Sequence, residues 1–427
     1  MLLAIVLPFD RVPSIDVGGF TIRLSTLIGS LLVLLWLRRV ILSHRLLLTP
    51  IEYVLVGFVL LNSVMFVMAA DQKAAAMVVV PTLFVIAVAL AVRHILTPRS
   101  FELTIVGLFV GAVGVALFGI YQFIGDFAGL PHWMTAMRPE YEAAKFGFPR
   151  VLSTMLEPLF LSAYLLLPIG LLTSRITAHR TSRWLVTALM ILVVIDVLTL
   201  SRGGLIALVV LFISVVLLSL RRNNHVRMRR VAGRFLIGAV VSIVVALSLV
   251  AVLNRQGNDS DVTYGSRGAG TFVRHLLNTK LAADRENLSN NDSVAERDLA
   301  RTLATHNIFN SPQHILMGYG PGQYASQARP STHPTVANVL LLDIWLHYGA
   351  IGVMLIVWLI CWMMYRLWLV RQSWVAVGLM AYYVAISLQS MTFSTLYIMH
   401  LWFAVGLSLY IIETLPKTLK NRYHKNA

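Results

Sequence analysis

The sequence places ionisable side chains inside stretches that are otherwise apolar. Glu157, Asp196 and Asp343 each lie inside an apolar block of about 20 residues, the length that spans a bilayer. An ionisable group inside a span costs about 2.5–3.5 kcal/mol on insertion scales, so it usually faces a partner or a water-filled cavity. Arg150 and Arg202 lie next to the ends of such blocks. These charges predict either structural ion pairs or the floor of a polar cavity.

A second pattern lies between two apolar blocks, where residues 201–204 read Ser-Arg-Gly-Gly. Glycine permits a tight reversal and a close approach of the backbone. Arg202 offers a planar set of donors that suits a phosphate group. The alternative is a plain turn that requires glycine, with an arginine that anchors at lipid headgroups.

The composition restricts the class of protein that holds these residues. Of 427 residues, 58% are hydrophobic and 13% are charged, and that charged share is about half of the usual one. A soluble enzyme, a fibrous protein and a disordered chain are therefore excluded. The net charge of +16 does not indicate nucleic acid, because the basic residues collect in short connections between apolar blocks. Cys361 is the single cysteine, which excludes a disulfide framework and a thiolate zinc site.

The blocks predict an all-α polytopic membrane protein with about 11–12 transmembrane helices. Met1–Phe9 is too short to cross, so it is a remnant of a further span, a re-entrant piece or a late start of the chain. The predicted spans are 24–37, 51–69, 76–92, 103–124, 151–173, 184–200, 203–220, 235–253, 339–364, 374–393 and 398–414.

The basic connections predict the orientation in the membrane, because loops rich in Lys and Arg stay in the cytoplasm. They are 38–50, 93–99, 174–183, 221–234, 366–371 and the tail 417–425. The C-terminus is then cytoplasmic, and the loops 125–150 and 254–338 lie outside. The predicted division is 1–253 for the N-terminal spans, 254–338 for a large periplasmic loop with short helices, and 339–427 for the C-terminal spans and tail.

Within the large loop, segment 293–309 has apolar residues near helical spacing. These residues are Val294, Leu299, Leu303 and Ile308. The spacing predicts a short amphipathic helix that lies on the membrane surface or against the helical bundle.

Four motifs together resemble the O-antigen ligase and Wzy-type polymerase superfamily of bacterial membrane glycosyltransferases. They are Arg150-Val151-Leu152-Ser153-Thr154 with Glu157-Pro158; Ser-Arg-Gly-Gly at 201–204; Arg297 followed by a helix, Pro312 and Gly318-Tyr319-Gly320-Pro321-Gly322; and a span containing Tyr348-Gly349-Ala350-Ile351-Gly352. The resemblance covers residues 145–365. The order of the four motifs, together with one large outer loop, makes it specific.

The resemblance implies transfer of a glycan from undecaprenyl pyrophosphate to an acceptor hydroxyl at the periplasmic face of the inner membrane. Arginines would stabilise the charge that develops on the departing pyrophosphate, and direct displacement would invert the anomeric centre. No cofactor or metal is expected, because no histidine cluster with ligand spacing is present, and Asp259 and Asp261, in the sequence Asp-Ser-Asp, are interpreted as ordinary surface or packing residues. The candidate pyrophosphate-binding residues are Arg202, Arg297, Arg150 and Arg301. The candidate bases are His333, Glu157 and Asp343.

The acceptor distinguishes two activities of this superfamily. A ligase transfers the finished chain to lipid A-core, whereas a polymerase transfers it to another lipid-linked repeat unit. Ligases typically carry a His-Asn pair where the large loop enters the next span, but here Ala337 precedes Asn338 and the nearest histidine is His333. This difference favours a polymerase for O-antigen or exopolysaccharide.

Two alternatives come from other classes of protein. One is a transporter or flippase of the lipid-linked glycan, which is expected to carry charges or broken helices near mid-bilayer in both halves. The other is a scaffold without catalytic activity. The expected partners are the donor, the glycan or lipid A-core acceptor, the bilayer, and polysaccharide chain-length or flippase proteins.

Overall fold

The structure is a computed structural model, and it describes most of the chain outside the region 221–291. The described residues are 1–17, 20–43, 48–142, 149–179, 182–220, 292–324, 337–425 and the single positions 233, 244 and 248. Statements below about absent features refer to these residues.

The described residues are almost entirely helical. The helices are α1 (Leu2–Val6), α2 (Leu24–Ser43), α3 (Pro50–Val67), α4 (Gln72–Ile95), α5 (Pro98–Phe127), α6 (His132–Thr135), α7 (Pro158–Ala178), α8 (Arg183–Leu198), α9 (Arg202–Leu220), α10 (Asp292–Phe309), α11 (Pro312–Met317), α12 (Leu340–Leu369), α13 (Trp374–Gln389) and α14 (Met399–Lys425), with a 3-10 turn at Pro139–Tyr141.

These helices confirm the predicted fold class, a helical multi-pass membrane protein. Seven of the helices, α2, α3, α4, α5, α7, α9 and α12, are long and apolar enough to cross a membrane. Helix α13 and segment Met399–Thr414 are shorter apolar helices. Each predicted span overlaps a helix except 235–253, which falls almost entirely outside the described residues. The span predicted from residue 151 begins only at Pro158, so the prediction that Glu157 lies inside a span is wrong, because this residue directly precedes the helix.

The N-terminal region contains two features that the apolar pattern does not predict. Strands β1 (Ser14–Val17) and β2 (Phe20–Arg23) form an antiparallel pair. Met1–Phe9 contains the short helix α1, which packs on α5. A Cβ atom at Gly111 would lie 2.4 Å from the backbone oxygen of Ile5, so glycine is what permits this close contact.

The described chain divides into two compact units. The first combines Met1–Gly29, Thr97–Asn278 and Arg371–Ile386. Its helix α7 is the most buried of the seven candidate spans, since 83% of its most apolar stretch is buried. A Cβ atom at Gly378 in α13 would lie 2.9 Å from the Cα atom of Leu171 in α7. Helix α7 is therefore the core of this unit.

The second unit combines Ser30–Leu96, Thr279–Val370 and Ser387–Ala427. Arg93 lies in the last turn of α4 rather than in a connecting loop, and it is 7% exposed. Its guanidinium forms ion pairs of 2.8 Å with Glu52 and with Glu413. Paired carboxylates offset the cost of burying this cation, so Arg93 connects α3, α4 and α14 within the unit.

Candidate functional site

In the first unit, the segment that follows the 125–150 loop is held against the turn between α8 and α9. The Val151 N–H donates to the Leu198 carbonyl at 3.1 Å. The side-chain oxygen of Gln122 accepts from the N–H groups of Leu152 and Ser153, at 3.1 and 2.7 Å. All of these contacts are buried, so this segment has a fixed position relative to α5 and α8.

Arg202 is the first residue of α9, and its side chain is exposed. The Ser201 hydroxyl accepts the N–H of Gly204 at 3.2 Å and so stabilises the start of the helix. A Cβ atom at Gly204 would lie 1.9 Å from the Ser162 hydroxyl in α7. Gly204 is thus required for packing of α9 against α7, while Arg202 is accessible to a ligand.

The other candidates in this unit have different surroundings. The N–H of Arg150 donates to the Tyr141 carbonyl at 2.9 Å, and its guanidinium lies 5.6 Å from the centre of the Tyr141 ring. Glu157 is half-buried and directly precedes α7. Burial, reinforced by the Glu157 carboxylate, raises the pKa of the Tyr141 phenol. Asp196 is 1% exposed, so it lies in the packed interior.

In the second unit, Arg301 lies in α10 and contacts the turn between α13 and α14. Its guanidinium donates to the Met391 carbonyl at 2.9 Å and lies 3.6 Å from the Asp298 carboxylate. These contacts use part of its donor capacity. Arg297 lies one turn earlier in the same helix, and its side chain is outside the described residues. His333 is also outside them.

Asp343 lies in the first turn of α12 and is 3% exposed. One of its carboxylate oxygens accepts the N–H of Ala337 at 2.8 Å. Asn338, between them, has a positive φ of 54°, a conformation that asparagine tolerates better than most residues. The carboxylate of Asp343 therefore fixes the backbone where the large loop enters α12.

The helix predicted over 293–309 is confirmed as α10, but the predicted apolar face is partly wrong. The buried residues are Ala300, Ala304 and Ile308, whereas Leu299 is 44% exposed. Alanines on the buried side permit a close approach to α12.

Ala337 packs in the same apolar cluster as the buried face of α10. The cluster consists of Ala304, Ile308, Tyr324, Ala337 and Leu346. Ala337 is fully buried, so a small side chain fills this position just before α12.

Gly318, in the Gly-Tyr-Gly-Pro-Gly motif at 318–322, packs against a break in α12. Gly349 has φ 63° and ψ −164°, which interrupts the helix. A Cβ atom there would lie 2.2 Å from the Leu316 carbonyl oxygen, and one at Gly318 would lie 2.7 Å from the N atom of Gly349. The Tyr319 N–H donates to the Leu346 carbonyl at 2.7 Å. Both glycines are therefore needed for backbone contact between α11 and α12.

Sequence reasoning missed the residue that attaches this loop to α4. Gln323 is buried, and its amide makes two hydrogen bonds to the backbone of Asp71, at 2.9 and 2.8 Å. At Gly322 a Cβ atom would lie 2.3 Å from the Ala74 carbonyl oxygen. No local pattern signals these long-range contacts. In the first unit such a signal exists, because Gln122 is a polar residue inside the predicted span 103–124. A polar side chain there indicates a buried partner, which is the backbone of Leu152 and Ser153.

Comparison with known protein families gives a match over part of the chain. The family model described as O-antigen ligase matches residues 185–357. This range includes Arg202, Arg297 and Asp343, while Arg150 and Glu157 fall outside it. No curated protein matches the chain. Residues 185–357 are therefore similar to the O-antigen ligase domain, whose family consists of polytopic membrane enzymes that act on lipid-linked glycans.

Proposed function

We propose that the protein transfers a glycan from undecaprenyl pyrophosphate to an acceptor hydroxyl at the periplasmic face of the bacterial inner membrane, with inversion and without a metal ion. The observation that carries this proposal is the family match over residues 185–357. The helices long enough to cross a membrane support it as well, because the donor is a membrane lipid.

Arg202 is the residue that we propose binds the donor pyrophosphate. It is exposed at the first position of α9, where a cation gains nothing from the helix dipole. Gly204 has a packing role, whereas the described part of the chain gives Arg202 no contact that would explain its place in the motif. A guanidinium can donate two parallel hydrogen bonds to a phosphate and stabilise the charge that develops on the leaving group. Arg297 is the second residue to which we assign this role.

The acceptor that we propose is a second lipid-linked glycan, so the activity is a polymerase. The buried Ala337 supports this choice, since it occupies the position of the ligase histidine inside an apolar cluster. We propose His333 as the general base, with Glu157 as the alternative. Asp343 is less suited, because its carboxylate already accepts a backbone N–H.

Analysis of the surface glycan in a deletion strain tests this proposal. Cells that lack the protein should carry single, unpolymerised repeats if it is a polymerase. Accumulation of a finished polymer on the polyprenyl carrier would instead show a ligase. A lipid-linked repeat that is retained on the cytoplasmic leaflet would indicate a flippase and contradict glycosyl transfer.

A further inference from the structure

Asp196 carries a buried carboxyl group that the proposed transfer reaction does not use. It lies in the last turn of α8 and is 1% exposed. Within the described part of the chain, neither of its carboxyl oxygens has a hydrogen bond of regular geometry. The one side-chain group that interacts with this carboxyl is the hydroxyl of Ser162 in α7. Buried polar groups are normally hydrogen-bonded, so the pair of Asp196 and Ser162 requires a physical explanation.

No cation pairs with Asp196 among the described residues. Helices α5, α7 and α9 pack against α8. The ionisable side chains at the adjoining ends of these helices and in the preceding loop are Tyr121, Asp126, Arg150, Glu157, Tyr164 and Arg202. None of them interacts with the Asp196 carboxyl, which is affected by burial and by Ser162 alone. The ion pair that the sequence allowed for Asp196 is therefore not formed in this part of the chain.

An ionised carboxylate is unfavourable in such surroundings. Removal of a charge from water is costly when no cation pairs with it, and a carboxyl group avoids this cost by keeping its proton. A protonated carboxyl has one O–H donor, and a serine hydroxyl oxygen is an acceptor. The Asp196 carboxyl can therefore donate a hydrogen bond to Ser162.

Ser162 lies where α9 packs on α7. It is fully buried in the second turn of α7, and its hydroxyl occupies the space that a side chain at Gly204 would need. A hydrogen bond from Asp196 to this hydroxyl joins α8 to α7 beside the start of α9. Three helices thus meet at one buried polar contact.

The turn between α8 and α9 connects this contact to Arg202. The Thr199 hydroxyl donates to the Asp196 carbonyl at 2.7 Å and accepts the Ser201 N–H at 3.2 Å. Leu200, between them, is buried and has a positive φ of 52°. A bulky residue keeps such a strained conformation only where its surroundings impose it. The contacts at the end of α8 therefore determine the backbone that leads into Arg202.

We propose that Asp196 is a positioning residue for glycosyl transfer. Its protonated carboxyl donates a hydrogen bond to the Ser162 hydroxyl, and this bond holds the turn in the position from which Arg202 reaches the donor pyrophosphate. The inference rests on the proposed function and adds a residue that acts through Arg202 rather than on the substrate. A displacement of about 1 Å far from the reacting atoms can lower a rate by about 100-fold, so a small shift of this turn is sufficient to impair transfer.

Infrared difference spectroscopy of the purified full chain in detergent detects the proton on Asp196 without requiring catalysis. The C=O stretch of a protonated carboxyl lies above the amide I band and shifts in D2O. The spectrum of wild type minus Asp196→Asn should contain such a band, and Ser162→Ala should move it to higher frequency because the hydrogen bond is lost. Absence of the band would show an ionised carboxylate and overturn the proposal, and a band that Ser162→Ala leaves in place would exclude the hydrogen bond.

Transfer kinetics test the positioning role. Asp196→Leu removes the donor at similar volume and should lower kcat by about 100-fold with little change in KM, because Arg202 acts on charge that develops after the donor has bound. The conservative variant Asp196→Asn keeps an N–H donor for Ser162 and should restore most of this turnover. Thr173→Val is a matched control, since it removes another buried hydroxyl farther along α7, and it should turn over like wild type.

Thermal unfolding shows which variants are folded. If Asp196→Leu does not fold, Ser162→Ala, which removes a single oxygen atom, tests the same bond and should also lower kcat. Wild-type turnover by either folded variant would overturn the positioning role, and so would equal losses in Asp196→Asn and Asp196→Leu. Failure of the proposed function has a different signature, because the wild-type protein then transfers no glycan while the infrared bands still show whether Asp196 donates to Ser162.

Discussion

Replacement of Gly349 by alanine should destabilise the protein strongly, because the break in α12 depends on this residue. At φ 63° and ψ −164°, the backbone adopts a conformation that is essentially restricted to glycine. The added methyl group would also lie 2.2 Å from the carbonyl oxygen of Leu316 and 2.4 Å from the N atom of Met317. Both neighbours are backbone atoms, so a side-chain rotation cannot relieve the clash.

The two effects can be given rough sizes. The backbone conformation costs about 1–3 kcal/mol for a residue other than glycine, and overpacking of a close contact costs about 1–3 kcal/mol. We therefore expect the free energy of unfolding to fall by about 2–6 kcal/mol. Gly57 in α3 provides a matched control, because a Cβ atom there has no neighbour within 4 Å. Gly57→Ala should change stability by no more than about 1 kcal/mol.

Thermal unfolding of purified protein in detergent, followed by circular dichroism, measures the difference between the two variants. Gly349→Ala should unfold at a clearly lower temperature than wild type, and Gly57→Ala near the wild-type temperature. Similar unfolding temperatures for both variants would refute the described contact between α11 and α12.

Further predictions concern the charges and the orientation. Arg202→Ala and Arg202→Lys should both reduce glycan transfer in cells at normal expression, because lysine keeps the charge but loses the paired donors; normal glycan in both would contradict the phosphate-binding role. Asp343→Ala should lower the free energy of unfolding by about 1–3 kcal/mol, because the buried N–H of Ala337 loses its acceptor, whereas Asp343→Asn retains an acceptor oxygen and should unfold near wild type. If His333 is the base, transfer should decline as the pH falls below about 6.5, since only the neutral ring accepts a proton, and a flat pH profile would exclude that role. An impermeant thiol reagent should label a cysteine introduced at position 290 in intact cells but not one at 225, and the reverse pattern would invert the proposed orientation.

The spans were predictable from the sequence because an apolar run of sufficient length has few alternatives in a membrane protein. Their ends were less predictable. The runs 76–92 and 103–124 became α4 and α5, which are longer at both ends. Helix α4 begins after Asp71, whose side chain accepts the N–H of Ala74, and α5 begins after Thr97, which accepts from Ser100. These polar caps lie outside the apolar runs that identify a span.

The candidate site was predictable only as a set of residue types. Ser-Arg-Gly-Gly indicated a turn with an accessible arginine, and the structure shows Arg202 exposed at the start of a helix. The role of Gly204 depends on Ser162 in another helix. The backbone partners of Arg301 and Asp343 likewise come from tertiary packing. Such contacts leave no local signal, because nothing in the spacing of a sequence specifies which distant backbone atom will lie nearby.

The most direct test of the central claim is a transfer assay with the purified protein in liposomes that contain undecaprenyl-pyrophosphate-linked glycan, with a metal chelator and without ATP. We predict that wild-type protein releases undecaprenyl pyrophosphate and forms a longer glycan, and that Arg202→Ala protein forms little or none. Movement of intact lipid-linked glycan between the two leaflets, with no cleavage of the sugar–phosphate bond, would contradict the account.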